Sequence, residues 1–182
     1  MTSEIKSPLF TVFTPVFNGE QHIHRVFKSI TEQHFRDFEW IIINDGSTDN
    51  TATLVKSFLA EHPEIDAVYQ EQPNAGKHIS WNKAVELARG KLFVPADADD
   101  YFFPETLSYF FEKWNNLTPG DQTALSGINV LCLDNDSETV VGDSYPVDGM
   151  RTNNVQLEFG INSGEKWGCV RTDLLKSRPF QE

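Results

Sequence analysis

The sequence predicts an α/β fold, with a mostly parallel central sheet flanked by helices and a less regular segment after it. Up to about residue 115, short runs of β-branched and aromatic residues alternate with segments whose apolar residues recur at helical spacing. Strands and helices that alternate in this way are joined by crossovers, and crossovers make neighbouring strands parallel. In addition, three of the predicted strands end in short polar loops.

The predicted strands of this first part are residues 9–14, 38–43, 65–69 and 92–94. Helices are expected between and after them. The first contains Ile23, Val26, Phe27 and Ile30, which fall at i, i+3, i+4 and i+7. The second helix is expected to begin within residues 47–49, where side-chain oxygens can cap it. The third is expected at residues 80–88, with Arg89 and Gly90 closing its end, and the fourth is expected to begin at Pro104.

After residue 118 the pattern is weaker. It predicts a long strand at 124–133, a return strand at 139–141, a surface loop at 143–162, a strand at 167–170 and a short helix at 172–175. Because the chain shows no repeat and no clear linker, we expect a single domain over residues 1–182, divided into halves at 8–115 and 116–182.

The amino-acid composition and net charge exclude some classes of function. The 182 residues are 39% hydrophobic and carry 27 acidic against 15 basic side chains, a net charge of −12. This balance excludes broad nucleic-acid binding, which needs clustered positive charge. No stretch is apolar over the roughly 18 residues that a membrane span requires, and the first residues lack a signal-peptide pattern. We therefore expect a cytoplasmic protein without a transmembrane segment, and leave peripheral membrane contact open.

Ligands of parallel sheets bind beyond the carboxyl ends of the strands. This rule selects the loops at 14–20, 44–49 and 97–100. The last is Asp-Ala-Asp-Asp, whose carboxylates repel each other unless a cation neutralises them. Mg²⁺ or Mn²⁺ fits, because each binds carboxylate oxygens together with phosphates. The alternative is a solvated acidic turn. The sequence has no glycine-rich phosphate loop, which favours the metal.

Two further positions have two interpretations each. Asp45, at the end of a predicted strand, can accept a hydrogen bond from a base N–H, whereas its neighbours Ser47 to Asp49 are better explained as a turn and helix cap. Lys77 can bring positive charge to a nucleotide, or it can be a surface lysine at the start of a helix.

Four stretches taken together, residues 13–20, 41–51, 74–84 and 95–101, resemble the motifs of family 2 glycosyltransferases, which have a Rossmann-like GT-A fold. The resemblance covers about residues 8–115. It implies that a sugar is moved from a nucleotide donor, UDP in our prediction, to an acceptor hydroxyl with inversion. It also implies a divalent metal, Mn²⁺ or Mg²⁺, that assists departure of the diphosphate, and an unidentified saccharide or lipid-linked acceptor such as a cell-surface polysaccharide.

The resemblance also implies roles for single residues. Asp45 matches the aspartate that reads uracil, Lys77 a basic position near the base or diphosphate, and Asp97-Ala98-Asp99 the DxD motif, with Asp99 on the metal. The first nucleotide-binding loop is matched by Thr14, Pro15, Asn18 and Glu20.

The chain departs from the family pattern in two respects. Asn44 stands where an aspartate is usual. No acidic residue of the second half matches the expected general base well. Glu165 is our choice, and the other candidates are Asp143, Asp148, Glu158, Asp173 and Glu182. Because family members are usually longer, we expect residues 116–182 to form only part of the acceptor-side half.

Three other functions remain in view. A nucleotide-sugar-binding module without turnover would keep the donor site alone. A sugar-nucleotide pyrophosphorylase would need a basic glycine-rich loop near the N-terminus, which residues 13–20 lack. A plain α/β domain with capped turns does not explain why the four motifs occur together.

Overall fold

The computed structural model describes residues 7–134, 137–145, 148–152 and 166–181. Glu158, Glu165, Glu182 and most of the predicted loop at 143–162 lie outside these residues. The described strands are β1 (Phe10–Val16), β2 (Phe38–Asp45), β3 (Ala67–Gln72), β4 (Leu92–Pro95), β5 (Gly127–Leu131) and β6 (Lys166–Arg171). The described helices are α1 (His24–Thr31), α2 (Thr51–Glu61), α3 (Lys77–Leu87), α4 (Thr106–Asn115), α5 (Pro119–Ala124) and α6 (Thr172–Ser177).

The six strands form one sheet in the order β3-β2-β1-β4-β6-β5. Strand β1 pairs in parallel with both β2 and β4, and β2 pairs in parallel with β3, whereas β6 runs antiparallel to β4. The predicted α/β fold with a mostly parallel sheet is confirmed. Since the chain leaves β1 in one direction towards β2 and β3 and later returns on the other side as β4, the sheet has a switch point at β1, where a crevice opens beyond the strand ends.

Backbone contacts divide the chain into two compact units, residues 1–128 with 169–182, and residues 129–168. The first unit contains the four parallel strands and all six helices described above. In the second unit, the described residues include a bridge between Leu133 and Val140. The predicted return strand at 139–141 is therefore reduced to a single antiparallel bridge.

Both faces of the parallel sheet are covered by aromatic and aliphatic side chains. On one face, α3 packs onto Phe13, Ile41, Ile43 and Phe93, all fully buried. On the other, the indole of Trp40 meets Phe27 of α1 and Phe58 of α2 edge to face, and those two rings stack on each other at 4.0 Å. The near-continuous apolar pattern of β2 follows from this burial on both faces.

Helices α2, α3 and α4 begin at Thr51, Lys77 and Thr106, whereas the predicted starts were within residues 47–49, at 80 and at 104. Three further differences from the prediction have local reasons. Strand β3 begins at Ala67 because the N–H of Ile65 instead closes a turn onto His62. Helix α5 was not predicted: the Thr118 hydroxyl accepts a hydrogen bond from the Asp121 N–H at 3.2 Å, and a proline follows the cap. The predicted strand at 124–133 is consequently shortened to Gly127–Leu131.

Gly90 does not close α3, contrary to the prediction. The helix ends at Leu87, and Ala88 is already extended with φ −58° and ψ 128°. Gly90 is needed for another reason, since a Cβ there would lie 2.4 Å from the backbone nitrogen of Thr11. Within the described residues, no helix has the length and apolar character that crossing a membrane requires.

Candidate functional site

A cleft of about 290 Å³ opens at the carboxyl edge of the parallel strands, where the switch point predicts a ligand. It is built by the ends of β1 and β2, the loops after β1 and β4, and the first turn of α3. Its lining residues are Pro15, Val16, Phe17, Asn18, Gly19, His22, Asp45, Lys77, Ser80, Asp97, Ala98 and Asp99.

The loop after β1 is tied to the loop after β2. Asn18, which has a positive φ of 49°, accepts a hydrogen bond on Oδ1 from the Thr48 N–H at 2.8 Å, and its own N–H donates to the Ser47 hydroxyl at 2.9 Å. The Glu20 carboxylate accepts from the Asn50 N–H at 2.7 Å. These bonds hold the two loops together before any ligand binds.

Asp45 is only 5% exposed, and most of its acceptor capacity is in use. Its Oδ1 accepts from the Gln72 side-chain amide at 2.8 Å and from the Ala75 N–H at 3.0 Å, while Oδ2 accepts from the Gly76 N–H at 2.8 Å. Burial by itself raises the pKa of Asp45, but these three hydrogen bonds outweigh it and lower the pKa. The carboxylate is therefore ionised at neutral pH, and of its roughly four lone pairs one remains open.

Lys77 and the acidic loop meet across the cleft. The Lys77 Nζ lies 2.6 Å from Oδ2 of Asp97. The second oxygen of Asp97, Oδ1, is buried without a hydrogen-bond partner. A buried acceptor without a donor is uncommon and is satisfied when a hydroxyl or cation reaches it. Asp99 is exposed, and its backbone carbonyl accepts from Arg25 at 3.3 Å.

The acidic loop fits a metal that is held jointly with a ligand. Among the described residues, no group of three or more His, Cys, Asp or Glu side chains could hold a metal ion alone. Asp97 and Asp99 both line the cleft. Mg²⁺ and Mn²⁺ are commonly bound by one or two carboxylates while substrate phosphates complete the coordination, so this small donor set matches a metal–diphosphate site.

A larger cleft, of about 440 Å³, lies at the opposite edge of the sheet. Its cations already have partners: Arg89 binds Glu39 and Asp66, Arg171 binds Asp173, and Lys176 donates to a main-chain carbonyl. Lys91, the fourth cation of this lining, donates to the Gln122 side chain at 3.1 Å, so each of the four already has a hydrogen-bond partner.

Most of the residues predicted for the site lie in the smaller cleft. Its lining includes Pro15, Asn18, Asp45, Lys77, Asp97, Ala98 and Asp99. Thr14 and Glu20 do not line it: Thr14 is fully buried and its hydroxyl accepts from the Trp40 indole at 3.0 Å, while Glu20 caps the start of α2.

Asp173, the candidate general base among the described residues of the first unit, does not line the cleft. Glu165, Glu158 and Glu182 lie outside the described ranges. Asp173 forms an ion pair with Arg171 just after β6, whose end lies beside the beginning of β4 at the edge opposite the cleft. That ion pair lowers the pKa of Asp173.

The sequence interpretation missed several residues at or behind the cleft, among them Phe17, Ser80, His22 and Gln72. Phe17 is 52% exposed, and a large aromatic residue within a polar loop was a usable signal. Ser80, fully buried, and His22 also line the cleft, but neither residue carries a local signal. Gln72 contacts Asp45 from the end of β3, which only the pairing of β2 with β3 reveals.

Comparison with known proteins places these features in a family. The family model described as "Glycosyl transferase family 2" matches residues 11–124. The chain belongs to this family. The resemblance inferred from the four motifs is confirmed, and the matched residues include every loop that lines the cleft.

Similar glycosyltransferases include YibD of Escherichia coli K12, described as an uncharacterized glycosyltransferase, which is 28% identical over 91% of this chain and 49% of its own length. The structure of Staphylococcus aureus TarS 1-349 superposes with a TM-score of 0.63 at 21% identity, over 92% of this chain and 48% of that one, and confirms the GT-A fold. The mannosyltransferase PcManGT of Pyrobaculum calidifontis, in complex with GDP-Man and Mn²⁺, has a TM-score of 0.53 at 27% identity, over 59% of this chain and 32% of its own. The chain thus spans about half the length of YibD and less of PcManGT.

Proposed function

We propose that this chain binds a UDP-linked sugar with a divalent metal and transfers the sugar to an acceptor hydroxyl with inversion. The observation that carries the proposal is the cleft at the switch point, where one wall presents Asp45 and another presents Asp97, Asp99 and Lys77. A base acceptor and a diphosphate site in one cleft are the two parts that a nucleotide-sugar donor requires.

At the base, Asp45 has one open lone pair and no proton to give. Such a group accepts an N–H, and the N3–H of uracil is a suitable donor. Guanine also presents N–H groups on its pairing edge. Because the similar protein PcManGT is described in complex with GDP-Man, GDP is tested as the competing nucleotide.

At the diphosphate, Asp99 would hold Mn²⁺ or Mg²⁺ together with the phosphate oxygens. The metal would supply positive charge to the departing diphosphate. The Mn²⁺ in the PcManGT complex supports this assignment. Lys77 adds a second positive charge, and Oδ1 of Asp97, which has no partner, is free to accept a ribose or sugar hydroxyl.

In the transfer itself, the acceptor oxygen attacks the anomeric carbon on the face opposite the diphosphate. The bond from that carbon to the diphosphate breaks with its electrons on the leaving group, and the hydroxyl proton passes to a general base. We propose Glu165 as this base and a saccharide or lipid-linked hydroxyl as the acceptor. Inversion follows from the single displacement.

The experiment is calorimetric titration of UDP, with and without Mn²⁺, on the wild-type chain, on Asp99→Asn and on Glu61→Gln. Glu61 is exposed at the end of α2, so its variant removes the same charge away from the cleft. We expect UDP binding that strengthens at least about tenfold with Mn²⁺, loss of that gain in Asp99→Asn, and no change in Glu61→Gln.

Binding of GDP in place of UDP would support the donor site but would change the proposed base from uracil to guanine. Binding of neither nucleotide would show that the cleft is not a donor site. Once binding is established, UDP-sugars are incubated with saccharide acceptors. Nucleotide binding with neither transfer nor donor hydrolysis would favour the binding module without turnover.

A further inference from the structure

Gln72 stands behind the candidate base-binding aspartate and is not part of the cleft lining. It is the last residue of β3, and β3 pairs with β2 such that Gln72 lies opposite Asp45. Its side-chain nitrogen donates to Oδ1 of Asp45 at 2.8 Å and to the hydroxyl of Ser80 at 3.2 Å. Both hydrogens of the amide are therefore in use.

These two bonds fix the orientation of the amide. If it were flipped, its oxygen would face the carboxylate of Asp45, and two acceptors would repel each other. Ser80 is fully buried and Asp45 nearly so, which means that water cannot easily replace either bond. The amide of Gln72 in turn holds the carboxylate of Asp45 together with the Ala75 and Gly76 N–H groups.

The consequence lies in the number of acceptor positions that Asp45 offers a ligand. Oδ1 is filled by Gln72 and Ala75, and Oδ2 is half filled by Gly76. We propose that Gln72 is a positioning residue that determines base selectivity, because it closes Oδ1 and leaves a single acceptor position on Oδ2. This role rests on the proposed donor function and adds a residue that acts through Asp45 without touching the nucleotide.

A single fixed acceptor position discriminates by hydrogen-bond type. A base that turns an N–H to it is bound, whereas a base that turns a lone pair to it is repelled. UDP and CDP have nearly the same shape, but ring nitrogen 3 carries a hydrogen in uracil and a lone pair in cytosine. Without Gln72, Oδ1 regains an open acceptor position and the carboxylate is held only by the Ala75 and Gly76 N–H groups, so the distinction between the two bases weakens.

The test measures the dissociation constants of UDP and CDP with Mn²⁺ by calorimetry on the full chain. Gln72→Met keeps the length of the side chain and removes the amide. Gln70→Met makes the same change two residues earlier on β3 and serves as the control. We expect the wild type and Q70M to prefer UDP by at least about tenfold, and Q72M to lose about tenfold of that preference, chiefly through weaker UDP binding.

Ser80→Ala provides a second, independent arm, because Ser80 holds the other hydrogen of the amide. We expect S80A alone to reduce the preference for UDP over CDP by about threefold. Added to Q72M, it should cause no further reduction, since both changes act through one amide. Thermal unfolding of each variant checks that it folds. If Q72M does not fold, the UDP preference of S80A alone tests the role of Gln72.

The outcomes separate the two proposals. Equal weakening of UDP and CDP in Q72M or S80A would show a structural role only and would overturn the assignment of Gln72, while the donor site stands. Additive effects of the two substitutions would overturn it as well. A wild type that binds neither UDP nor GDP would overturn the donor function, and the role of Gln72 with it. A wild type that binds GDP but not UDP would keep the donor site and overturn only the role of Gln72.

Discussion

At the scale of single residues, Lys77 and Asp97 form an ion pair at 2.6 Å, with 57% and 37% of their side chains exposed. An ion pair as exposed as this contributes little to folding, usually about 0–1 kcal/mol. In the proposed donor site the same lysine would contribute more to binding a diphosphate, because a hydrogen bond to a charged group is worth about 1.5–3 kcal/mol. Its contribution should therefore appear in binding and hardly in stability.

We expect Lys77→Met to weaken Mn²⁺–UDP binding by roughly tenfold or more and to change the free energy of unfolding by less than about 1 kcal/mol. Lys83→Met is the matched control, since Lys83 is on the same helix and pairs with Glu86 at 3.1 Å. Calorimetry and urea denaturation measure the two quantities. If K77M binds UDP as well as K83M does, Lys77 is only a surface lysine.

At the scale of elements, the approach of the chain to β4 depends on a glycine. The segment between α3 and β4 passes so close to β1 that a Cβ on Gly90 would lie 2.4 Å from the nitrogen of Thr11 and 2.5 Å from the carbonyl carbon of Phe10. The N–H of Gly90 donates to the hydroxyl of Thr11 at 2.9 Å and to the buried carboxylate of Glu39 at 3.1 Å. Because Thr11 lies in a central strand, its backbone cannot easily move away.

We expect Gly90→Ala to lower the free energy of unfolding by about 1–3 kcal/mol or more, as overpacking does. Gly120→Ala is the control: Gly120 lies in α5, where the nearest atom to a Cβ is 3.8 Å away, and alanine favours a helix by roughly 0.5–1 kcal/mol over glycine. Urea denaturation compares the two variants. Equal stabilities would show that β1 and the segment before β4 can separate without cost.

At the scale of the whole molecule, the cleft edge is held together by carboxylates that bind main-chain N–H groups. Asp45 binds the loop before α3, and Asp49 accepts from the Glu20 N–H at 3.1 Å and the Thr51 N–H at 3.0 Å. In both residues burial raises the pKa and hydrogen bonds lower it further than burial raises it. Protonation breaks these bonds, so acid should loosen the edge that carries the candidate site.

The direction of the pH effect follows from linkage. A carboxyl whose pKa is lowered by folding contributes stability that is complete above its unfolded pKa, near 3.8 for aspartate, and that is lost as the pH falls through its folded value. We expect Asp45→Asn to be less stable than wild type at pH 7 by about 1–3 kcal/mol, and the difference to shrink below about pH 4. Urea denaturation at both pH values measures it, with Glu61→Gln as the charge control. A difference that is constant with pH would contradict the linkage.

The sequence by itself determined the strand and helix periods, the parallel sheet and the polar loops at its carboxyl edge. These are local patterns, and the spacing of apolar residues and the order of elements are enough to read them. They also predicted one edge for Asp45, Asp97 and Asp99, because the ends of parallel strands share one edge. Lys77 was assigned to the site only by the family resemblance.

Only the tertiary structure decided which partners those side chains take. Asp45 meets Ala75 and Gly76 across 30 and 31 residues of chain, and Gln72 reaches it only because β3 pairs with β2 in one register. A glycine is needed at position 90 because β1 passes so close to it, and the residues next to Gly90 in the sequence do not show this. Contacts of this kind depend on where crossovers return the chain, and periodicity carries no information about that position.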